Sequence, residues 1–319
     1  MLAKHSIFTK MNELGAAKVP FFFMIDFLKE NGEVIPLNEL HYEIKFEIDS
    51  PKKESFQKDF KFNKFPISFD EYLPKFNYVH DNLLFGNSYL TNLTLPTKIE
   101  TDLTLDEVFQ FSEAKYKLKY KNEFVCFSPE RFVKIEDQKI FSNPMKGTID
   151  ASIPNAKQLI LNDEKEAAEH ATIVDLIRND LSLVSENVEV TNYRYIDEVK
   201  TNDATLLQVS SEIKGDLNDD YYQNLGTIFD QLLPAGSICG APKKKTVEII
   251  LEAEKYHRNF YTGVFGVFDG ENLDSAVMIR FIENNQGELF FKSGGGVTAK
   301  SKAKAEYEEL IQKVYVPIY

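Results

Sequence analysis

Two short segments of this 319-residue chain place carboxylates where a cation can be shared. In KEAAEHATIVDLIRNDL, Glu166 and Glu169 stand three residues apart, so on a helix they project from one face. In AKAEYEELIQKV, Glu306 and Glu309 repeat that spacing, and Lys313 lies a further turn along. Tyr307, Leu310, Ile311 and Val314 form a separate apolar stripe, which predicts that the glutamates stay off the buried side. Two such faces suit a hard divalent cation such as Mg²⁺, which takes oxygen from one or two carboxylates and keeps waters for substrate. Each helix alone has a plainer explanation. Asp163 and Glu166 fit a capping box, and Glu309 with Lys313 fits an exposed pair worth ~0.3–0.5 kcal/mol.

A second pair of residues has complementary chemistry. SPERF puts Glu130 at the end of a strand, and NPMKGT puts Lys146 beside a proline and a glycine, 16 residues later. A hairpin between them brings both to one cleft. There, a partly desolvated lysine near Mg²⁺ and other cations loses basicity and becomes a nucleophile, and a neighbouring glutamate serves as acid for a departing oxygen. Taken singly, the lysine reads as a surface residue in a turn and the glutamate as a partner of Arg131.

Three further segments offer anion-binding chemistry. PAGSICGAPKKK sets Gly236, Ser237 and Gly240 ahead of a predicted helix, with Lys243 to add charge, although the GK[ST] ending of a phosphate loop is missing. Ser293-Gly294-Gly295-Gly296-Val297 permits close backbone approach or makes an ordinary flexible turn. Arg280, among the apolar residues of AVMIRFIE, either emerges to solvent or supplies a fork for a carboxylate.

The elements that must position these groups follow from periodicity. Strands are predicted at 20–28, 40–48, 123–127, 131–136, 139–142, 188–199, 205–213, 262–268, 273–282 and 287–293. Tyr72, Phe76, Val79 and Leu83 mark a helix over 69–85 that ends before Gly86. Further helices are expected at about 164–179, 219–232, 243–256 and 301–314. Consecutive strands joined by turns such as Asp269-Gly270 and Gln286-Gly287 favour antiparallel pairing, so the class is α+β.

Composition narrows the partners. Hydrophobic residues make up 43% and charged residues 27%, as in a chain that folds around a core. A net charge of −13 argues against nucleic acid or anionic lipid, because phosphate binding needs clustered cations. Cys126 and Cys239 are the only cysteines, too few for a disulfide framework or a cysteine-based zinc site, which points to a reducing cytoplasm. The apolar stretch Val19 to Leu28 is short and holds Asp26, so neither a membrane span nor a signal peptide is expected.

In order, SPERF, NPMKGT, EAAEHATIVDLIRNDL, GSICGAPK, YTGVFG, AVMIR, SGGGV and EYEEL resemble the chorismate-utilising enzymes, most closely their aminodeoxychorismate synthase component I branch. The resemblance runs from about residue 70 to the C-terminus. It implies two antiparallel sheets forming a sandwich flanked by helices, with the active site in the central cleft. Residues 1–319 then form one unit, 1–69 being a shortened N-terminal part and 70–319 the chorismate-binding core. The aminodeoxychorismate branch carries lysine at the Lys146 position, where anthranilate and isochorismate enzymes usually carry alanine.

By that resemblance Lys146 attacks C2 of chorismate as the C4 hydroxyl leaves, Glu130 acts as acid and later base, and ammonia enters at C4. Glu169 and Glu309 match the Mg²⁺ ligands, with Glu166 and Glu306 as further or water-mediated ones. Lys313 lies near the ring carboxylate, and Thr148 helps position the ring. Arg280, Tyr261 and the backbone at Gly294 hold the pyruvyl carboxylate, and Lys243 is a further substrate contact.

Three positions depart from the family pattern. Gln208 stands in place of a histidine, Cys239 in place of a threonine, and Leu90 where water-using relatives place a lysine base and many ammonia-using ones a glutamine. No tryptophan-binding segment is recognisable, so feedback by tryptophan is not expected. No glutaminase Cys/His/Glu arrangement is visible either, so ammonia is expected from a separate glutamine amidotransferase. The competing expectations are an anthranilate synthase component I and a non-catalytic partner of such an amidotransferase.

Overall fold

The strand Phe21–Ile25 buries all five side chains, as a strand covered on both faces does. Its alternation sends Phe22 and Met24 one way and Phe21, Phe23 and Ile25 the other, into two different cores. The computed structural model describes residues 1–49, 59–200 and 205–318. Among these residues lie two antiparallel sheets, of ten and eight strands.

In the larger sheet Phe21–Ile25 lies between Asn31–Pro36 and Val264–Phe268. The order continues through Leu273–Val277, Arg131–Glu136, Lys139–Ser142 and Thr205–Asp216 to Met145–Asp150. The long strand Thr205–Asp216 also carries Glu186–Lys200. The smaller sheet runs from Gly240–Ala241 through Leu90–Thr101, Glu288–Val297, Phe281–Asn285, Phe124–Ser128 and Tyr116–Tyr120 to Ile44–Ile48.

Phe22, Met24 and Phe265 of the first sheet meet Leu118, Tyr120, Phe124 and Phe281 of the second in one buried cluster. Each such phenyl ring contributes roughly 1.5–3 kcal/mol by leaving water. Helices Lys4–Ala16, Glu164–Leu181 and Leu225–Leu232 cover the outer face of the larger sheet. Helices Phe69–Leu84, Lys243–Glu254 and Ala303–Gln312 cover part of the smaller one. The expected α+β sandwich is therefore the observed fold.

Helix Phe69–Leu84 starts at a complete capping box, Ser68 with Glu71, and buries the predicted stripe of Tyr72, Phe76, Val79 and Leu83. Other elements differ from expectation. The strand predicted over 40–48 shrinks to Ile44–Ile48, behind a short 3-10 turn at Leu37–Glu39. Helix Lys4–Ala16 and strands Leu90–Thr101 and Met145–Asp150 are additional to those that periodicity predicts.

The strand predicted over 273–282 is two strands. Leu273–Val277 belongs to the larger sheet and Phe281–Asn285 to the smaller, and between them Arg280 takes a φ of +52°. Apolar residues continue through the break because both flanks are buried, so the pattern could not mark where the chain changes sheets. The crossing leaves Arg280 on the wall of the central cavity.

Candidate active site

A cavity of about 400 Å³ is walled by residues of both sheets and two carboxylate-bearing helices. Lys146, on the edge strand Met145–Asp150, reaches helix Glu164–Leu181, where its Nζ lies 2.8 Å from Glu169 Oε2. Asp163 caps that helix by accepting from the Glu166 N–H at 2.9 Å. The Glu166 carboxylate turns toward the lysine segment: its Oε2 stands 3.2 Å from where a Cβ on Gly147 would lie.

Opposite, Glu309 Oε1 accepts from Lys313 Nζ at 2.6 Å, and the same ammonium donates to the Gly294 carbonyl at 2.9 Å. A Cβ on Gly295 would stand 3.1 Å from Glu309 Oε1 and 3.5 Å from Glu306 Oε2, so strand and helix approach closely because this residue is glycine. Glu306 is only 8% exposed, which corrects the expectation that both glutamates stay off the buried side. The glycine strand, having no side chains to offer, lets a carboxylate fill the space.

Glu130 sits in the turn between strands Phe124–Ser128 and Arg131–Glu136. Its Oε1 accepts from Ser237 Oγ at 2.6 Å, and its own N–H donates to Ser128 Oγ. Arg131 pairs instead with Asp274, at 3.2 Å. Burial pushes the Glu130 carboxyl above its ordinary value, against the opposing pull of Ser237, Arg280 and Lys313. That direction suits an acid that must hold its proton near neutrality.

Two of the lysines on the cavity wall, Lys146 and Lys313, are shifted in opposite senses. Burial lowers both, but around Lys146 the carboxylates of Glu169, Glu166 and Glu309 outweigh it, and its pKa stands above that of an ordinary lysine. At Lys313 burial prevails over Glu309, with Arg280 and Lys146 adding to it, and the pKa falls. Among the groups of the protein itself, carboxylates outnumber cations around Lys146 and hold its pKa up, whereas burial prevails at Lys313.

Tyr261, Arg280 and Gly294 also line the cavity. Tyr261 is buried, and its hydroxyl is pushed to a higher pKa by that burial. Arg280 stacks toward the Tyr315 ring, and its buried Nε has no hydrogen-bond partner among the described residues. Thr148 is exposed, opposite Gln208 in the strand register, and is not brought to the cavity wall. Lys243 is not on the wall either: its ammonium lies 2.8 Å from Asp180 and donates to the Leu232 carbonyl.

Leu90 lines the cavity, and Cys239 is a buried free thiol packed with Phe27 and Ile250. Ser237 and Asn92 are wall residues to which sequence reasoning gave no role. The serine was visible in the motif GSICGAPK, but its reach to Glu130 was not.

Carboxylates Glu169 and Glu309 both supply oxygen donors on the cavity wall, the chemistry a hard cation takes. Among the described residues no three His, Cys, Asp or Glu are gathered into a ready-made metal shell. No described helix is long and apolar enough to cross a membrane.

A family model described as chorismate binding enzyme matches residues 26–318. An uncharacterised PabA-like protein of Pasteurella multocida is 49% identical over 99% of this chain and 100% of its own. Aminodeoxychorismate synthase component 1 of Bacillus subtilis is 36% identical over 60% of this chain and 42% of its own. An anthranilate synthase component 1 of Haloarcula marismortui is 32% identical over 74% of this chain and 48% of its own. The menaquinone-specific isochorismate synthase of Escherichia coli superposes with a TM-score of 0.70, at 14% identity, over 97% of this chain and 80% of that one, a likeness of fold alone.

Proposed function

We propose, from the premise that this chain belongs to the chorismate-binding enzyme family, that it is an aminodeoxychorismate synthase subunit converting chorismate and ammonia to 4-amino-4-deoxychorismate. The observation that carries this reading is the Lys146 amine, held on the wall of the cavity across from an acid. Lys146 Nζ bonds to C2 of the ring as the C4–O bond breaks and the two ring double bonds shift. Glu130 gives its proton to the departing hydroxyl, which leaves as water. Ammonia then bonds to C4, the double bonds shift back, the C2–N bond breaks, and Glu130 recovers a proton. Before attack Lys146 must itself lose a proton, and Glu169 is the acceptor within reach at 2.8 Å.

Chorismate is a dianion entering an acidic protein, so local cations must meet both carboxylates. Arg280, Tyr261 and the Gly294 backbone suit the pyruvyl carboxylate. Lys313 suits the ring carboxylate. Mg²⁺ held by Glu169 and Glu309, with Glu166 and Glu306 behind them, supplies the remaining positive charge when bound. Thr148 requires a shift toward the ring to assist. Ammonia comes from a separate glutamine amidotransferase, a reading supported by the PabA-like and aminodeoxychorismate synthase relatives.

A second reading, anthranilate synthase, draws on the relative of that name in Haloarcula. Incubation with chorismate, Mg²⁺ and ammonium separates the two by mass spectrometry of the product. Aminodeoxychorismate is expected, and Lys146→Ala is expected to abolish it. Anthranilate with pyruvate would replace this assignment with the second.

A further inference from the structure

Lys243 lies outside the cavity, yet it ties together three segments that meet behind Glu130. Its Nζ is 2.8 Å from Asp180 Oδ2 near the end of helix Glu164–Leu181, and it donates to the Leu232 carbonyl at 2.6 Å, at the end of helix Leu225–Leu232. Lys243 itself opens the helix Lys243–Glu254. One ammonium therefore closes the loop from residue 232 to residue 243. Near the middle of that loop is the turn Gly236–Cys239, which presents Ser237 to Glu130 at 2.6 Å.

Asp180 is the other half of the clamp. It is 13% exposed, and its Oδ2 stands 2.6 Å from where a Cβ on Gly236 would lie, so the carboxylate abuts the start of the turn. Asp180, Ser237 and Glu130 also border one small void behind the cavity. Burial raises the Asp180 carboxyl and Lys243 opposes that rise. Losing the lysine would leave a nearly buried carboxylate uncompensated against the turn, and such a charge recruits water or a proton by moving its surroundings.

We infer that Lys243 is a positioning residue for the acid, clamping Asp180 and the end of helix Leu225–Leu232 so that Ser237 holds Glu130 in place, and that it makes no contact with substrate. The inference deepens the reading of Glu130 given above. Two of the lysine's three donors are already committed to protein, and positional errors near 1 Å in a supporting shell cost about a hundredfold in rate.

The test compares Lys243→Met, Lys243→Arg and the double variant Asp180→Asn/Lys243→Met. Chorismate turnover with free ammonium should show kcat lowered about ten- to a hundredfold in Lys243→Met with KM for chorismate unchanged. Arginine should retain most of the activity, and the double variant should recover only part of the loss, because it relieves the uncompensated charge without restoring the clamp. A raised KM in Lys243→Met that the double variant does not relieve would overturn the inference in favour of substrate contact.

Crystal structures of the ligand-free proteins test the clamp independently of turnover. Ser237 Oγ should leave hydrogen-bond range of Glu130 in Lys243→Met and stay within it in Lys243→Arg. Its retention in Lys243→Met would overturn the clamp even if the assigned reaction were wrong. Absence of any chorismate turnover in the wild-type chain would count against the proposed function and leave this structural test standing.

Discussion

Two ion pairs of similar composition, one buried beside strand Leu90–Thr101 and one on the cavity wall, have different uses. Arg258 and Glu254 are each 1% exposed and joined by two hydrogen bonds, of 2.8 and 2.6 Å. The remaining capacity is also taken: Arg258 donates to the Asn92 carbonyl and Thr262 Oγ1, and Glu254 accepts from the N–H and hydroxyl of Thr94. Lys146 and Glu169 are 30% and 15% exposed, and other carboxylates crowd the same ammonium. The first arrangement has one satisfied geometry and stiffens the wall. The second holds an excess of negative charge beside an open cavity, which favours exchange of partners when substrate or a cation arrives.

Breaking the buried pair should have the largest effect. Arg258→Ala strands Glu254 in the interior, and a loss of about 3–5 kcal/mol is expected in chemical denaturation. A loss no greater than a surface substitution causes would erase the distinction between the two pairs.

Loading the cavity side comes next. Mg²⁺ at a hundredfold excess over its dissociation constant should stabilise the protein by about 2.7 kcal/mol, read as a rise in melting temperature. The variant Glu169→Gln/Glu309→Gln should show no such rise, and an equal rise in both would place the cation elsewhere.

A solvent-facing cluster gives a third point on the scale. Asp106 accepts from Lys45 at 2.7 Å and lies 3.0 Å from Lys119, and these lysines, Lys45 foremost, hold its carboxyl below the usual aspartate range. Its contribution is present above the unfolded value of about 3.9 and is lost as pH falls through the lower folded value. Asp106→Asn should therefore cost about 1 kcal/mol near neutrality and nothing in strong acid, measured as the stability difference across pH.

Lys146→Met should remove the aminodeoxychorismate product while costing less stability than Arg258→Ala, because Lys146 is partly exposed and water reaches the carboxylate it leaves. A variant that unfolds would recast this lysine as a mainly structural residue.

The carboxylate pairs were legible because helical spacing alone places positions three apart on one face; Glu169 and Glu309 line the cavity, while Glu166 and Glu306 approach Gly147 and Gly295 beside it. The burial of Glu306 was not legible, since it depends on Gly295 of another strand having no side chain. Helix Phe69–Leu84 was readable from both its stripe and its cap. The break at Arg280 was not, because a strand buried on both faces shows no change of pattern where it passes from one sheet to another.

The amino-acid sequence by itself determined the chemical inventory: an acid, an amine, four carboxylates on two helices, an arginine among apolar neighbours, and a glycine strand. Local periodicity and capping depend on residues a few positions apart, so they survive without the fold. Tertiary structure alone decided that Lys146 answers to Glu169, that Lys313 loses basicity while Lys146 gains it, that Lys243 turns to Asp180, and that Ser237 supports Glu130. Those outcomes depend on charge separation and burial between segments up to a hundred residues or more apart in the chain, distances over which spacing in sequence carries no electrostatic information.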